Sequence, residues 1–241
     1  MKNLIYQYYI PYEANDAHYG GIDMPQWAQN GSKSARAYAK KVGADYILSH
    51  ERYYKHLDPR LDSIRLFYDT SFDDYDNILC LDLDMLVTTN ENIFDIEIED
   101  VAMVHELGVH DARPGTKSWL SRVMDVPNYQ RGVIAYGKKL FGEDWMFPKS
   151  KLYPNEQYRY MNGGLQLWSK KGRLKARKHF TSVDDYYLHT RYTEQMYINL
   201  QLSQSIFNVT ELDTSWNRLS SRQKLNGKIN HYIGPHKQKM I

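Results

Sequence analysis

The stretch Tyr75-Asp76-Asn77-Ile78-Leu79-Cys80-Leu81-Asp82-Leu83-Asp84-Met85-Leu86-Val87 constrains the fold more than any other part of the chain. A short apolar run bounded by polar residues reads as a fully buried strand, and predicts a central strand over Asn77–Val87. Side chains two apart in a strand point the same way. Asp82 and Asp84 are therefore expected to face one side at its end, the edge where open α/β sheets bind ligands. Two like charges held together are costly unless a cation or partner neutralises them. A divalent metal with a phosphate ligand is the simplest neutraliser. Two solvated aspartates at a strand-to-loop junction explain an isolated Asp-x-Asp equally well.

The segments around this run alternate. Leu4–Ile10 reads as a strand, Tyr12–Asn30 as a loop and Ser32–Val42 as a helix closed by Gly43. Asp45–Leu48 reads as a strand, Leu61–Ser71 as a helix and Val101–His105 as a further strand. This order predicts βαβ units and an α/β domain with a mostly parallel sheet flanked by helices. Gly108–Pro154 reads as an excursion of loops and short helices, of the kind that forms lids or binding walls. Tyr160–Trp168 reads as a turn entering a strand, and Ser169–Phe180 as a basic helix. Thr193–Ser203 reads as a helix with Thr193 as N-cap. Ile206–Leu212 and Lys228–Ile233 read as late strands.

A chain of 241 residues, 42% of them hydrophobic, can build one large α/β domain or two small ones. A net charge of +2 gives no footprint for nucleic acid or an anionic membrane, and no apolar run is long enough to cross a bilayer. The single cysteine, Cys80, rules out a disulfide framework. Inside a central strand it reads as a small hydrophobe rather than a nucleophile. The short aromatic strand at the N-terminus does not resemble a signal peptide, so a cytoplasmic setting is the expectation. Tyrosine is abundant, at 21 residues. Aromatic faces can cover sugars and bases, and ordinary packing explains them as readily.

Four further groups of residues carry chemistry. Asn162-Gly163-Gly164 offers a side-chain amide and lets backbone approach a ligand closely; a plain tight turn explains it as well. Glu194-Gln195 opens a helix, where the dipole favours an anion; Glu and Gln are also common in first turns without any such role. His231 lies at the end of a strand and can ligate a metal as neutral imidazole; alone it reads as a surface histidine, and it gains weight only beside the Asp pair. Gly234 permits a turn, and Lys237 follows as a point charge suited to phosphate. Arg65, in the helix before the Asp-x-Asp run, is placed to reach a nucleotide or to form a surface ion pair.

In this order the segments resemble the nucleotide-sugar glycosyltransferases of the GT-A (Rossmann-like) fold, and among them glycosyltransferase family 8, the glycogenin and bacterial galactosyltransferase group. The features are Arg65, Tyr75 to Asp84, Asn162 to Gly164, Glu194-Gln195 and His231 to Lys237. The resemblance implies a single domain over 1–241, with a nucleotide-binding half (1–107) and an acceptor-binding half carrying the last metal and phosphate motif (108–241). It implies metal-dependent transfer, with retention, from a nucleoside-diphosphate sugar such as a UDP-sugar to a hydroxyl of a glycan or glycoconjugate. Asp82, Asp84 and His231 would hold the metal, Mn2+ or Mg2+, with Asp82 also near the ribose. Gly234 and Lys237 would touch the diphosphate, Arg65 the donor, and Tyr6 and Tyr8 the base. Asn162, Gly163 and Gly164 would face donor sugar and acceptor, and Glu194 and Gln195 the anomeric carbon. The chain departs from the family in Glu194, where Asp is usual, and in Gln238-Lys239 after the last lysine, where Pro-Trp is common.

Other readings remain. A haloacid-dehalogenase-like phosphatase also places Asp-x-Asp after an apolar strand, but needs a late acidic pair that this chain lacks. A sugar nucleotidyltransferase needs a Gly-rich phosphate loop after the first strand, where Pro11-Tyr12-Glu13 stands. A non-catalytic nucleotide-sugar-binding module would share the aromatics and some motifs.

Overall fold

The computed structural model describes residues 1–11, 23–106, 130–152, 158–190, 194–219 and 225–240. Its strands are β1 (Asn3–Tyr8), β2 (Asp45–Ser49), β3 (Asn77–Leu81), β4 (Met85–Val87), β5 (Val101–His105), β6 (Met161–Ser169), β7 (Val209–Leu212), β8 (Arg218–Leu219) and β9 (Ile229–His231). Its helices are α1 (Gln26–Val42), α2 (Arg65–Tyr68), α3 (Ala135–Phe141), α4 (Lys170–His179), α5 (Val183–Thr190) and α6 (Glu194–Leu202). Six strands form one sheet in the order β2-β1-β3-β6-β5-β7, and three form a small sheet, β4-β9-β8. Among the described residues only β6 runs antiparallel within the large sheet, so the expected mostly parallel α/β architecture is present.

Both faces of the large sheet are covered, which is why its strands read as continuous apolar runs. Leu4, Tyr6, Ile78, Cys80 and Met103 pack on one side with Leu61, Phe67 and Tyr197. Their neighbours Ile5, Leu79, Leu81 and Ala102 pack on the other with Ala35, Tyr38 and Trp216. Cys80 is buried, and burial pushes its thiol pKa up, as suits a packing residue.

Several segments differ from their expected form. The apolar run Asn77–Val87 is not one strand: it breaks at Asp82–Asp84, and its end crosses into the small sheet. Helix α1 begins at Gln26, inside the expected loop. Asn30 and Gly31 weaken the local helix signal, yet Gly31 is where the helix meets the Leu83 backbone, and a Cβ there would lie 1.8 Å from Leu83 O. The expected helix Leu61–Ser71 is a 3-10 turn, the short α2 and a second 3-10 turn, broken where the Asp69 side chain caps Ser71 N. Asn162-Gly163-Gly164 is not a turn but lies inside β6, all of it buried. The N-cap assigned to Thr193 and most of the Gly108–Pro154 excursion lie outside the described residues.

The basic helix α4 spends its charges on the fold. Lys175 pairs with buried Asp100, and Arg177 forks onto Asp73 at 2.6 and 2.9 Å. Arg173, 1% exposed, donates to the carbonyls of Phe72 and Tyr75.

Candidate functional site

The link between β3 and β4 is held at each of its ends. Asp82 N–H donates to Gly164 O at 2.9 Å, and Gln7 Nε2 donates to Asp82 O at 3.1 Å. Tyr232 N–H donates to Asp84 O at 2.7 Å. Leu83 packs with Tyr9 and Ala28, while the carboxylates flanking it converge with His231. So the pair belongs to a pinned link rather than to the strand, yet still shares one side. β4 pairs antiparallel with β9 and sets Met85 opposite His231. That register carries the imidazole to the carboxylates.

His231 Nε2 lies 3.2 Å from Asp84 Oδ1 and 3.9 Å from Asp82 Oδ2. One ligand atom from each of the three residues can be chosen so that all lie within 4.8 Å of one another, a spacing that can hold a metal ion. Lys237 Nζ, on the 3-10 turn Gly234–Lys239, sits 3.0 Å from Asp84 Oδ2. Gly234 opens that turn with φ of +54°, a backbone conformation that favours glycine.

Gly164 faces the same point from β6. A Cβ there would come 2.7 Å from His231 Cε1, 2.9 Å from Asp82 Oδ2 and 3.0 Å from Met85 Cε. Only a residue without a side chain lets the strand pass this close.

Charge is unevenly distributed over the pair. Asp82 is only half-buried, its side chain 43% exposed; this partial burial and the charge of Asp84 raise its carboxyl pKa, against the pull of His231 and Lys237. Burial also opposes ionisation of Asp84, but His231 and then Lys237 outweigh it and hold Asp84 low, at about 2. Burial works against charge on His231 too, and Asp84 overcomes it and raises the imidazole pKa. The arrangement favours a cation among the three groups.

A chain of amides leads away from the imidazole. His231 Nδ1 contacts Asn217 Oδ1 at 3.0 Å, and Asn217 Nδ2 donates to Asn162 Oδ1 at 2.8 Å. Asn162 Nδ2 donates to Glu106 Oε2 at 3.0 Å, and Gln195 Nε2 reaches the same oxygen at 3.4 Å. Gln195 Oε1 accepts from Gly163 N–H at 2.8 Å. Beside Asp82, Asp84 and His231 runs a cleft of about 210 Å³, lined in part by Tyr8, Tyr9, Trp27, Arg60, Glu194 and Lys237. Lys237 Nζ lies 4.4 Å from the centre of the Trp27 ring.

Asp82, Asp84, His231, Lys237, Asn162, Gly163, Gly164 and Gln195 thus form one contiguous group, with Tyr8 and Glu194 in the adjoining cleft. Arg65 and Tyr6 do not join it. They line a separate cavity of about 400 Å³, where Arg65 is held by Asp69 Oδ2 at 2.7 Å and Ser49 Oγ at 3.0 Å. Arg60 is the arginine at the cleft. Sequence reasoning also passed over Trp27, Glu106 and Asn217. Glu106 had a readable signal, since it follows an apolar strand at the sheet edge as Asp82 does. Asn217 had none.

No known family model matches the chain, and no curated protein sequence does. Solved structures do match. A glycosyltransferase involved in the glycosylation of the major capsid of PBCV-1 is similar with a TM-score of 0.57 and 12% identity, over 100% of this chain and 99% of that one. The bifunctional glycosyltransferase WbbM gives 0.56 at 12% identity, over 97% of this chain and 45% of that one. The galactosyltransferase LgtC, in complex with donor and acceptor sugar analogues, gives 0.52 at 12% identity, over 97% of this chain and 87% of that one. At such identity the likeness is one of fold: the chain has the GT-A fold of these enzymes.

Proposed function

We propose that this chain is a metal-dependent glycosyltransferase, moving a sugar from a nucleoside-diphosphate sugar, a UDP-sugar, to a hydroxyl of a glycan or glycoconjugate. The observation that carries this reading is the convergence of Asp82, Asp84, His231 and Lys237 beside an aromatic cleft, on a fold shared with sugar-transferring enzymes.

Two carboxylate oxygens and one imidazole nitrogen suit Mn2+, which accepts both ligand types, better than Mg2+, which prefers oxygen and retained water. Bound there, the ion supplies Lewis-acid stabilisation to a diphosphate. The protein's own groups do the rest. Lys237, anchored by Asp84, offers a fixed positive charge where negative charge grows on the leaving diphosphate. Tyr9 and Trp27 give flat faces for the base. Arg60 takes the place expected for Arg65 at the donor cleft. The cleft draws on both chain halves, with Tyr8, Trp27 and Asp82 from one and Glu194 and Lys237 from the other.

In the transfer, the bond between the anomeric carbon and the diphosphate oxygen breaks, and the acceptor oxygen bonds to that carbon. The acceptor proton passes to the leaving diphosphate, which needs no separate base, and the product retains its configuration. Gln195 is held at both ends of its amide, which suits a positioning role toward the oxocarbenium-like sugar rather than attack on it. Asn162, held by Gly164 and Glu106, has the same fixed character.

A thermal-shift screen of nucleotide sugars, with and without Mn2+, tests the reading. The matching donor should raise the melting temperature only with metal, by mass action. Equal shifts in chelator, or none with any nucleotide, would overturn it.

A further inference from the structure

We infer that Asn217 is a positioning residue that sets the protonation pattern of His231, so that the imidazole presents its Nε2 lone pair to a metal between Asp82 and Asp84. This rests on the metal site just proposed, and adds a residue to it from outside the ligand set.

The direction of each hydrogen bond follows from one fixed point. Gly164 N–H is a backbone group and can only donate; it points at Asn162 Oδ1 from 3.0 Å. That atom of Asn162 is therefore the oxygen. Its amide nitrogen then faces Glu106 Oε2 at 3.0 Å, where a carboxylate accepts. The second group on Asn162 Oδ1, 2.8 Å away on Asn217, must be a donor. So Asn217 turns its NH2 to Asn162 and its oxygen to His231 Nδ1, at 3.0 Å. An amide oxygen cannot donate, so Nδ1 carries a proton. What is usually an arbitrary choice of amide orientation and tautomer is here forced by a backbone N–H.

The consequence falls on the other ring nitrogen. In neutral imidazole the lone pair is then on Nε2, which lies 3.2 Å from Asp84 Oδ1 and 3.9 Å from Asp82 Oδ2. A lone pair aimed at two carboxylates is unfavourable until a cation sits among them. Asn217, 0% exposed, and His231, 4% exposed, are both buried, so water does not readily replace the amide. The 3-10 turn Thr214–Asn217 and the β8–β9 pairing of Leu219 with His231 hold the two residues in register. Metal-ligating histidines commonly have their second nitrogen fixed in this way, and loss of the partner typically costs about 10- to 100-fold in metal affinity.

The test is a double-mutant cycle on Mn2+ affinity, read from the electron paramagnetic resonance of free Mn2+ without substrate. Asn217→Leu should weaken Mn2+ binding by about 10- to 100-fold. His231→Gln supplies an oxygen ligand that has no tautomer. In that background Asn217→Leu should change the affinity by less than about 2-fold, because its effect travels through the imidazole. Equal losses in both backgrounds would mean a general structural role and would overturn the inference. So would unchanged affinity in Asn217→Leu while Asp84→Ala abolishes binding. If the wild type binds no Mn2+, the metal reading itself fails and the inference with it. Should Asn217→Leu not fold, a crystal of the wild type soaked in Mn2+ decides. The metal on Nε2 with the Nδ1 contact to Asn217 kept supports the inference, and a ring turned away from Asn217 refutes it.

Discussion

Gly164→Ala is a small change aimed at the centre of the site. Gly164 lies within β6 and its φ is not positive, so the backbone accepts alanine without strain. The whole effect must come from the added methyl. Ordinary van der Waals contact begins at 3.4 Å, and the methyl would lie 2.7 Å from His231 Cε1, about 0.7 Å too close. Asp82 Oδ2 at 2.9 Å and Met85 Cε at 3.0 Å close the other directions. His231 cannot easily yield, because Asn217 holds its far side. A functional group must stay within about 0.5 Å of its working position, and this displacement exceeds that. Overpacking of this kind costs about 1–3 kcal/mol, which, if it falls on the ligand geometry, weakens metal binding by ~5- to ~150-fold. Isothermal titration with Mn2+ and a melting curve of the metal-free protein measure the two parts separately. The expected result is a clear loss of affinity with a modest loss of stability. Wild-type affinity in Gly164→Ala would refute the claim that β6 closes against the proposed metal ligands.

Other expectations follow from the same geometry. Trp27→Ala removes a flat wall of the cleft and the ring beside Lys237; donor affinity, measured by titration calorimetry, should fall by about 10-fold or more, since stacking a base on an aromatic is worth about 1–3 kcal/mol. Arg173→Met leaves the Phe72 and Tyr75 carbonyls without their buried donor, and urea unfolding should report a loss of about 2–4 kcal/mol with Mn2+ affinity unchanged. For pH, the two aspartates act oppositely in the metal-free protein. Asp84 has a lowered pKa, so its stabilisation is present above the usual carboxylate range and is lost as pH falls toward about 2. Asp82 is raised, so its contribution is present below that range and is lost as pH rises above it. Protons on Asp82 and His231 compete with metal, so Mn2+ affinity should climb between pH 5 and 7; a flat profile in calorimetry would contradict this.

The strands were legible because both faces of the sheet are covered, which leaves near-continuous apolar runs such as Val101–His105. The same signal hid the break at Asp82–Asp84. Apolar residues continue to Val87, and nothing local reveals that Met85–Val87 pairs with β9 in another sheet. Gly163-Gly164 has the composition of a turn, but it lies in a strand, and glycine stands there because distant groups, Gln195 and His231, leave no room for side chains. Gln26–Asn30 reads as loop because Asn30-Gly31 interrupts the helix signal just after it, although packing on Leu83 sustains the helix. The ligand candidates Asp82, Asp84 and His231 were legible through motif order. Asn217 and Glu106 contact residues 55 and 56 positions away in the chain, and such long-range hydrogen bonds leave no periodic trace. Arg65 shows the limit of placing a side chain by its segment alone, since its partners Asp69 and Ser49 hold it beside another cavity.

Metal-dependent cleavage of a nucleotide sugar is proposed for the Asp82–Asp84–His231 site. The most direct measurement is nucleoside diphosphate release from a panel of nucleotide sugars, with Mn2+ and with chelator, for the wild type and Asp84→Asn. Release in Mn2+, its loss in chelator and its loss in Asp84→Asn are the predicted result. Release of inorganic phosphate instead, or diphosphate release that survives both chelator and Asp84→Asn, would contradict the account.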